Sequence, residues 1–166
     1  LGGTIAVESE EGRGTTFTAT FRFRTPRPAP AAGIARAVCR RILLVEDNEL
    51  NMEIETELLG ELGFHIEPAG NGKEALERVA ASAPGEIDLV LMDIQMPVMD
   101  GWQASQAIRA LPDPALAGIP IIALSANVFE SDIQRSMECG MNAHLKKPLD
   151  VPALLRTIEE TFSCPQ

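Results

Sequence analysis

The chain has 166 residues, of which 45% are hydrophobic and only 4% aromatic, enough apolar material for one mostly aliphatic core plus an appendage. Its 24 acidic against 14 basic residues give a formal charge of −10, which argues against nucleic acid as a partner. No apolar run reaches the ~18 residues of a membrane span, and the opening Leu1-Gly2-Gly3-Thr4 lacks the basic segment of a signal peptide, so the chain reads as a cytoplasmic piece cut from a larger protein, without direct membrane contact.

Residues 4–9 and 15–23 alternate apolar and polar around Glu11-Gly12-Arg13-Gly14, the signal of a two-stranded hairpin. A hairpin alone is marginal in water, so this piece is expected to belong to a sheet whose remainder lies elsewhere. Residues 25–39 form a Pro/Ala-rich, semi-rigid linker. A second domain is expected over 40–163. The charge divides the same way: residues 1–41 hold seven Arg and three Glu, while 42–166 hold seven Lys/Arg and 21 Asp/Glu.

Ile42-Leu43-Leu44-Val45 is an all-apolar strand ending in Glu46-Asp47. Asp47 or Asn48 caps the next helix, with Met52, Ile54, Leu58, Leu59 and Leu62 as its apolar face and Gly63 as its stop. Residues 64–69 form a shorter strand. Asn71 and Glu74, at capping-box spacing, open a helix carrying Ala75, Leu76, Val79 and Ala80. Leu89 to Met92 are all apolar and read as a strand buried on both faces, ending on Asp93. Pro97, Asp100 and Gly101 then turn the chain. A helix over 102–111, a buried strand over 119–124 ending on Ser125, and a helix over 128–139 stopped by Gly140 follow. Residues 143–146 are a last strand closed by Lys147-Pro148, and Asp150 caps a final helix with Leu154, Leu155, Ile158 and Phe162 inward. Five β-α repeats joined by right-handed crossovers give a parallel sheet with helices on both faces.

In such sheets chemistry gathers beyond the carboxyl ends of the strands. Glu46, Asp47, Asp93, Ser125 and Lys147 all fall there. Three crowded carboxylates repel, and a hard cation relieves them. Mg²⁺ suits the set, with Asp47 and Asp93 as direct ligands, Glu46 on a metal-bound water, and the backbone carbonyl of Gln95 completing the protein's share. Asp93 can also attack phosphorus to give an aspartyl-phosphate, with Lys147 neutralising phosphoryl oxygens and Ser125 offering its hydroxyl. His65 and His144 lack metal-ligand spacing, so zinc is not expected. Cys39, Cys139 and Cys164 are widely spaced without Cys-x-x-Cys and read as reduced thiols.

The motifs Leu43-Leu44-Val45-Glu46-Asp47-Asn48, Met92-Asp93-Ile94-Gln95-Met96-Pro97-Val98-Met99-Asp100-Gly101, Ile122-Ala123-Leu124-Ser125-Ala126 and Leu145-Lys146-Lys147-Pro148-Leu149 make residues 40–163 resemble a response-regulator receiver domain. The resemblance implies an α/β, flavodoxin-like (βα)5 fold with strand order 2-1-3-4-5. It implies Asp93 as phosphoacceptor, Glu46 and Asp47 at Mg²⁺, Lys147 at the phosphoryl group, a cis Lys147–Pro148 bond, and Ser125 as a switch residue. His144 stands where receivers usually carry Tyr or Phe; it either rotates inward with Ser125 or sits as a partly exposed edge-strand residue. Residues 2–17 resemble the last strands of a histidine-kinase ATPase domain, without that family's nucleotide-binding boxes.

These resemblances imply the carboxy-terminal piece of a hybrid histidine kinase. The parent would be a kinase, whereas this chain lacks the ATP site and promotes only its own Asp phosphorylation and dephosphorylation. The implied partners are a histidine kinase phosphoacceptor domain and a histidine phosphotransfer protein docking beside the first receiver helix. Two rivals stand beside this. A haloacid-dehalogenase-type phosphatase needs Asp-x-Asp, and Gln95 fills the second Asp position. A non-phosphorylated receiver-like scaffold would not need the acid pair, Asp93 and Lys147 together.

Overall fold

A computed structural model of the chain describes residues 3–10, 14–21, 39–126 and 129–163. The first pair, β1 (Gly3–Glu10) and β2 (Gly14–Phe21), is an antiparallel hairpin in register from Gly3↔Phe21 to Glu10↔Gly14, as the alternation predicts. Residues 25–38 of the expected linker, and the last two residues of the expected second strand, lie outside the described residues; Cys39, placed at the linker's end, is instead buried in the core.

The remainder alternates strand and helix: β3 (Arg41–Val45), α1 (Glu49–Glu61), β4 (His65–Ala69), α2 (Gly72–Ala81), β5 (Leu89–Asp93), α3 (Gly101–Arg109), α4 (Pro114–Ala117), β6 (Ile121–Ser125), α5 (Glu130–Glu138), β7 (Ala143–Lys146) and α6 (Val151–Ser163). Strands β3 to β7 form one parallel sheet in the order β4-β3-β5-β6-β7, the flavodoxin-like order 2-1-3-4-5. Each central strand carries an unbroken run of four apolar residues, and the two-residue period splits it between two cores. Leu43, Val45, Val90, Met92, Ile121 and Ala123 pack with Ala75, Val79, Ala104 and Ile108 of α2 and α3. Ile42, Leu44, Leu89, Leu91, Ile122 and Leu124 pack with Leu59 of α1 and Leu154, Leu155 and Ile158 of α6.

The helix ends follow the expected chemistry. Asn48 caps α1 by accepting from the amides of Leu50 and Asn51, and Asp150 accepts from Ala153 at the start of α6. Gly63 and Gly140, both at positive φ, stop α1 and α5.

Three expectations are corrected. Ile54 is 55% exposed and Glu55 is buried in its stead, because Glu55 and Leu59, four residues apart, share the face turned to the sheet. Ala80 is likewise on the outer side of α2. The short α4, capped by Asp113 with Pro114 in its first turn, precedes β6, so that strand starts at Ile121 rather than Ile119.

Candidate functional site

Backbone hydrogen bonds extend the sheet one residue past its strands. The Glu46 amide donates to Ala69 O at 3.1 Å, Ile94 to Leu124 O at 3.1 Å, and Lys147 to Ser125 O at 2.8 Å. These fix Glu46, Asp93 and Lys147 along a single edge. The Lys147–Pro148 bond is cis, as the resemblance implies. Gly101 holds the floor: a Cβ there would land on the Asp93 carbonyl oxygen and lie 3.0 Å from both Ile94 Cα and Met92 Cγ. The Gly101 amide donates to Ile94 O at 3.0 Å, closing the turn back under Asp93.

Within that turn Val98 has φ 71 and the Met99 amide reaches Pro97 O at 2.8 Å, a strained γ-turn. A β-branched side chain rarely adopts this conformation. Val98 is also 80% exposed, beside the site.

The side chains converge. Lys147 Nζ donates to Asp93 Oδ2 at 2.5 Å and to Glu46 Oε2. Glu46 Oε1 accepts from Asn51 Nδ2 at 3.1 Å and from the Asn48 amide at 3.2 Å. Asp93 Oδ1 accepts from the Gln95 amide at 3.0 Å. Carboxylate oxygens of Glu46, Asp47 and Asp93 all lie within 4.8 Å of one another; Glu46 and Asp93 are buried and Asp47 is exposed.

The electrostatics are unbalanced. Three carboxylates face one ammonium. Burial pushes the Asp93 carboxyl up, against the opposing pull of Lys147. Burial alone would lower Lys147, but Asp93 and Glu46 outweigh it and hold the ammonium above its usual range. Glu55, one turn beyond Asn51 on α1, is pushed up to about 7, chiefly by burial, with Lys147 opposing and Glu46 and Asp93 adding. Its Oε2 has no hydrogen-bond partner among the described residues. The donor set is all oxygen and net negative, the chemistry that suits a hard divalent cation such as Mg²⁺.

Ser125 and His144 meet on the α5 side. Ser125 Oγ lies 2.8 Å from His144 Nε2, and His144 Nδ1 lies 3.3 Å from Ser136 Oγ. His144 thus faces Ser125 and Ser136 while remaining half-buried on the edge strand β7. Trp102 Nε1 donates to Ser136 Oγ at 3.1 Å, and Arg135 stacks over the indole at 3.8 Å. Trp102 therefore reports on this chain of contacts, not on the carboxylates directly. The two described cysteines, Cys39 and Cys139, are free and buried, and burial, with Asp88 adding, pushes the Cys39 thiol up to about 12.

Residues 42–159 match the family described as response regulator receiver domain. The chain belongs to that family. As a receiver domain it is 40% identical over 169 residues to the aerobic respiration control sensor protein ArcB of Escherichia coli, an alignment spanning 96% of this chain. The chain spans only 20% of ArcB's length. It is 35% identical over 120 residues to the polar-differentiation response regulator DivK of Brucella anthropi, covering 72% of this chain and 94% of DivK. Among solved structures it resembles the receiver domain of sensor histidine kinase PA1611 from Pseudomonas aeruginosa (32% identity, TM-score 0.66, 76% of this chain and 99% of that one), which holds a magnesium ion in its active site cleft. It also resembles the receiver domain of histidine kinase CKI1 from Arabidopsis thaliana, complexed with Mg²⁺ and BeF₃⁻ (28% identity, TM-score 0.69, 81% and 97% of the two chains). No helix among the described residues is long and apolar enough to cross a membrane.

Proposed function

We propose that this receiver accepts a phosphoryl group on Asp93 from a phosphohistidine and passes it to a histidine phosphotransfer protein. The observation that carries the reading is Lys147 Nζ at 2.5 Å from Asp93 Oδ2, inside a cluster with two further carboxylates. Asp47, Asp93 and the Gln95 carbonyl would hold Mg²⁺, with Glu46 on its water shell; when bound, the ion would neutralise phosphoryl oxygens. Asp93 is the nucleophile. Lys147 already bridges Asp93 and Glu46, so it is placed to follow charge as it moves from the carboxylate to the phosphoryl oxygens. Glu46 and Asn51 orient that ammonium. Ser125 offers a hydroxyl to the phosphoryl group, and the change spreads through His144 as a population shift.

The organisation 1–24, 25–39 and 40–163 fits a receiver-bearing part of a hybrid histidine kinase. The ArcB alignment supports this, because it spans more of the chain than the receiver alone can fill. Leu50 (64% exposed) and Ile54 (55%), four residues apart on α1, give a phosphotransfer protein an apolar place to dock beside the site. A cytoplasmic location follows from these partners.

Incubation with Mg²⁺ and acetyl phosphate tests the assignment. One acid-stable, base-labile phosphate per chain is expected, and none on Asp93→Asn. Equal labelling of that variant would refute Asp93 as the acceptor.

A further inference from the structure

Ser136 has a single hydroxyl proton, and it goes to the Asp132 carbonyl oxygen at 2.8 Å. The same oxygen already accepts from Trp102 Nε1. The 3.3 Å contact with His144 Nδ1 is then a hydrogen bond only if the imidazole supplies the proton. This fixes the Nδ1–H tautomer, and leaves Nε2 of the neutral ring a bare acceptor. Ser125 Oγ, 2.8 Å from Nε2, must be the donor. Its hydroxyl proton therefore points at His144 and not toward the space above Asp93.

We propose that His144 is a proton-linked positioning residue for Ser125: the neutral ring retains the serine's proton, and a ring that takes a second proton, on Nε2, turns Ser125 to donate toward a phosphoryl group on Asp93. No covalent bond changes. One proton enters from solvent onto Nε2, the Nε2–Oγ bond reverses direction, and the Ser125 O–H is released from the ring. By linkage, phosphorylation makes His144 bind that proton more tightly, and acid favours the switched form.

Burial pulls His144 down, while Asp132 on α5 opposes it. Arg135, also on α5, is stacked on Trp102. Trp102 of α3 is neutral, as is Ser125 of β6, and beyond Ser125 lies the Lys147–Asp93 pair. On β7 the neighbouring Lys146 is exposed.

The proposal rests on the phosphoacceptor reading, and its test separates the two. Imidazole ¹⁵N and ¹³C NMR gives tautomer and titration of His144, with exposed His65 as the internal reference. At rest, Nδ1–H is expected; an Nε2–H tautomer would overturn the inference without touching Asp93. With Mg²⁺ and beryllofluoride, the His144 midpoint should rise by about one pH unit, a tenfold change in proton affinity. In Ser125→Ala most of that rise should vanish; full retention would mean a field effect of the bound anion and overturn the bond-reversal step. In His144→Phe, the wild-type gain in beryllofluoride affinity toward acid pH should disappear. If beryllofluoride does not bind beside Asp93, the phosphoacceptor reading fails and this inference fails with it. Binding with an unmoved His144 overturns this inference alone.

Discussion

The two edges of the sheet each hold a half-buried cation, and the two are satisfied differently. At the carboxyl edge Lys147 is held by the carboxylates of Asp93 and Glu46. At the opposite edge Arg109 donates to Gly140 O at 2.8 Å, Ala117 O at 2.6 Å, Ile119 O at 2.8 Å and Asn142 Oδ1 at 3.0 Å. None of those acceptors is charged. Asn142 Oδ1 also takes the Ile121 amide at 2.9 Å, so the guanidinium ties α3, α4 and the starts of β6 and β7 together. The Arg109 knot is complete in itself and has no use for a ligand. The Lys147 cluster carries an excess of negative charge, which an added cation relieves. The Arg109 edge is structure, and the carboxyl edge is poised chemistry.

Arg109→Ala should produce the largest change in stability. It strands the carbonyls of Gly140, Ala117 and Ile119, and a loss of about 3 kcal/mol is expected in urea unfolding. Asp93 labelling per folded molecule should persist. Loss of labelling in folded Arg109→Ala would mean the two edges are not independent.

Lys147→Met should cost about 2 kcal/mol in metal-free buffer, since it leaves two buried carboxylates facing each other. Its thermal midpoint should gain more from Mg²⁺ than that of the wild type. Asp93→Asn should do the reverse, with unchanged or higher stability and a smaller gain from Mg²⁺. Equal gains across the three proteins would place the ion elsewhere.

Glu55→Gln sharpens the comparison through pH. The folded protein holds the Glu55 proton up to about 7, whereas an ordinary Glu releases it near 4.5. Over that window the folded form binds more protons than the unfolded form, so the wild type loses stability as pH rises. The difference between wild type and Glu55→Gln should grow from pH 4.5 to 7 and then level off. A difference that does not vary with pH would mean that the carboxyl is solvated. The smallest effect is expected from Val98→Gly, which relieves the γ-turn and should raise stability by about 1 kcal/mol in chemical unfolding.

The sheet was legible because strand burial writes itself as unbroken apolar runs, and each run from Ile42 onward ends on a polar group at the observed site. Asp93, Glu46 and Lys147 could be placed from strand ends alone. Glu55 could not: a carboxylate on the sheet-facing side of α1 contradicts the pattern that made Ile54 look inward. The Ser136 link joins Trp102, 34 residues before it, to His144, and no local spacing encodes such a contact. Arg109 was missed for the same reason, since its acceptors are backbone carbonyls and carry no residue signature.

The most direct test is a Mg²⁺ titration of the resting protein followed by ¹H–¹⁵N spectra. Saturable shifts are expected at Glu46, Asp47, Asp93 and Gln95, with the Arg109–Asn142 edge unmoved. Shifts absent from the carboxyl edge, or as large around Asp113 and Asp88 as around Asp93, would contradict the account.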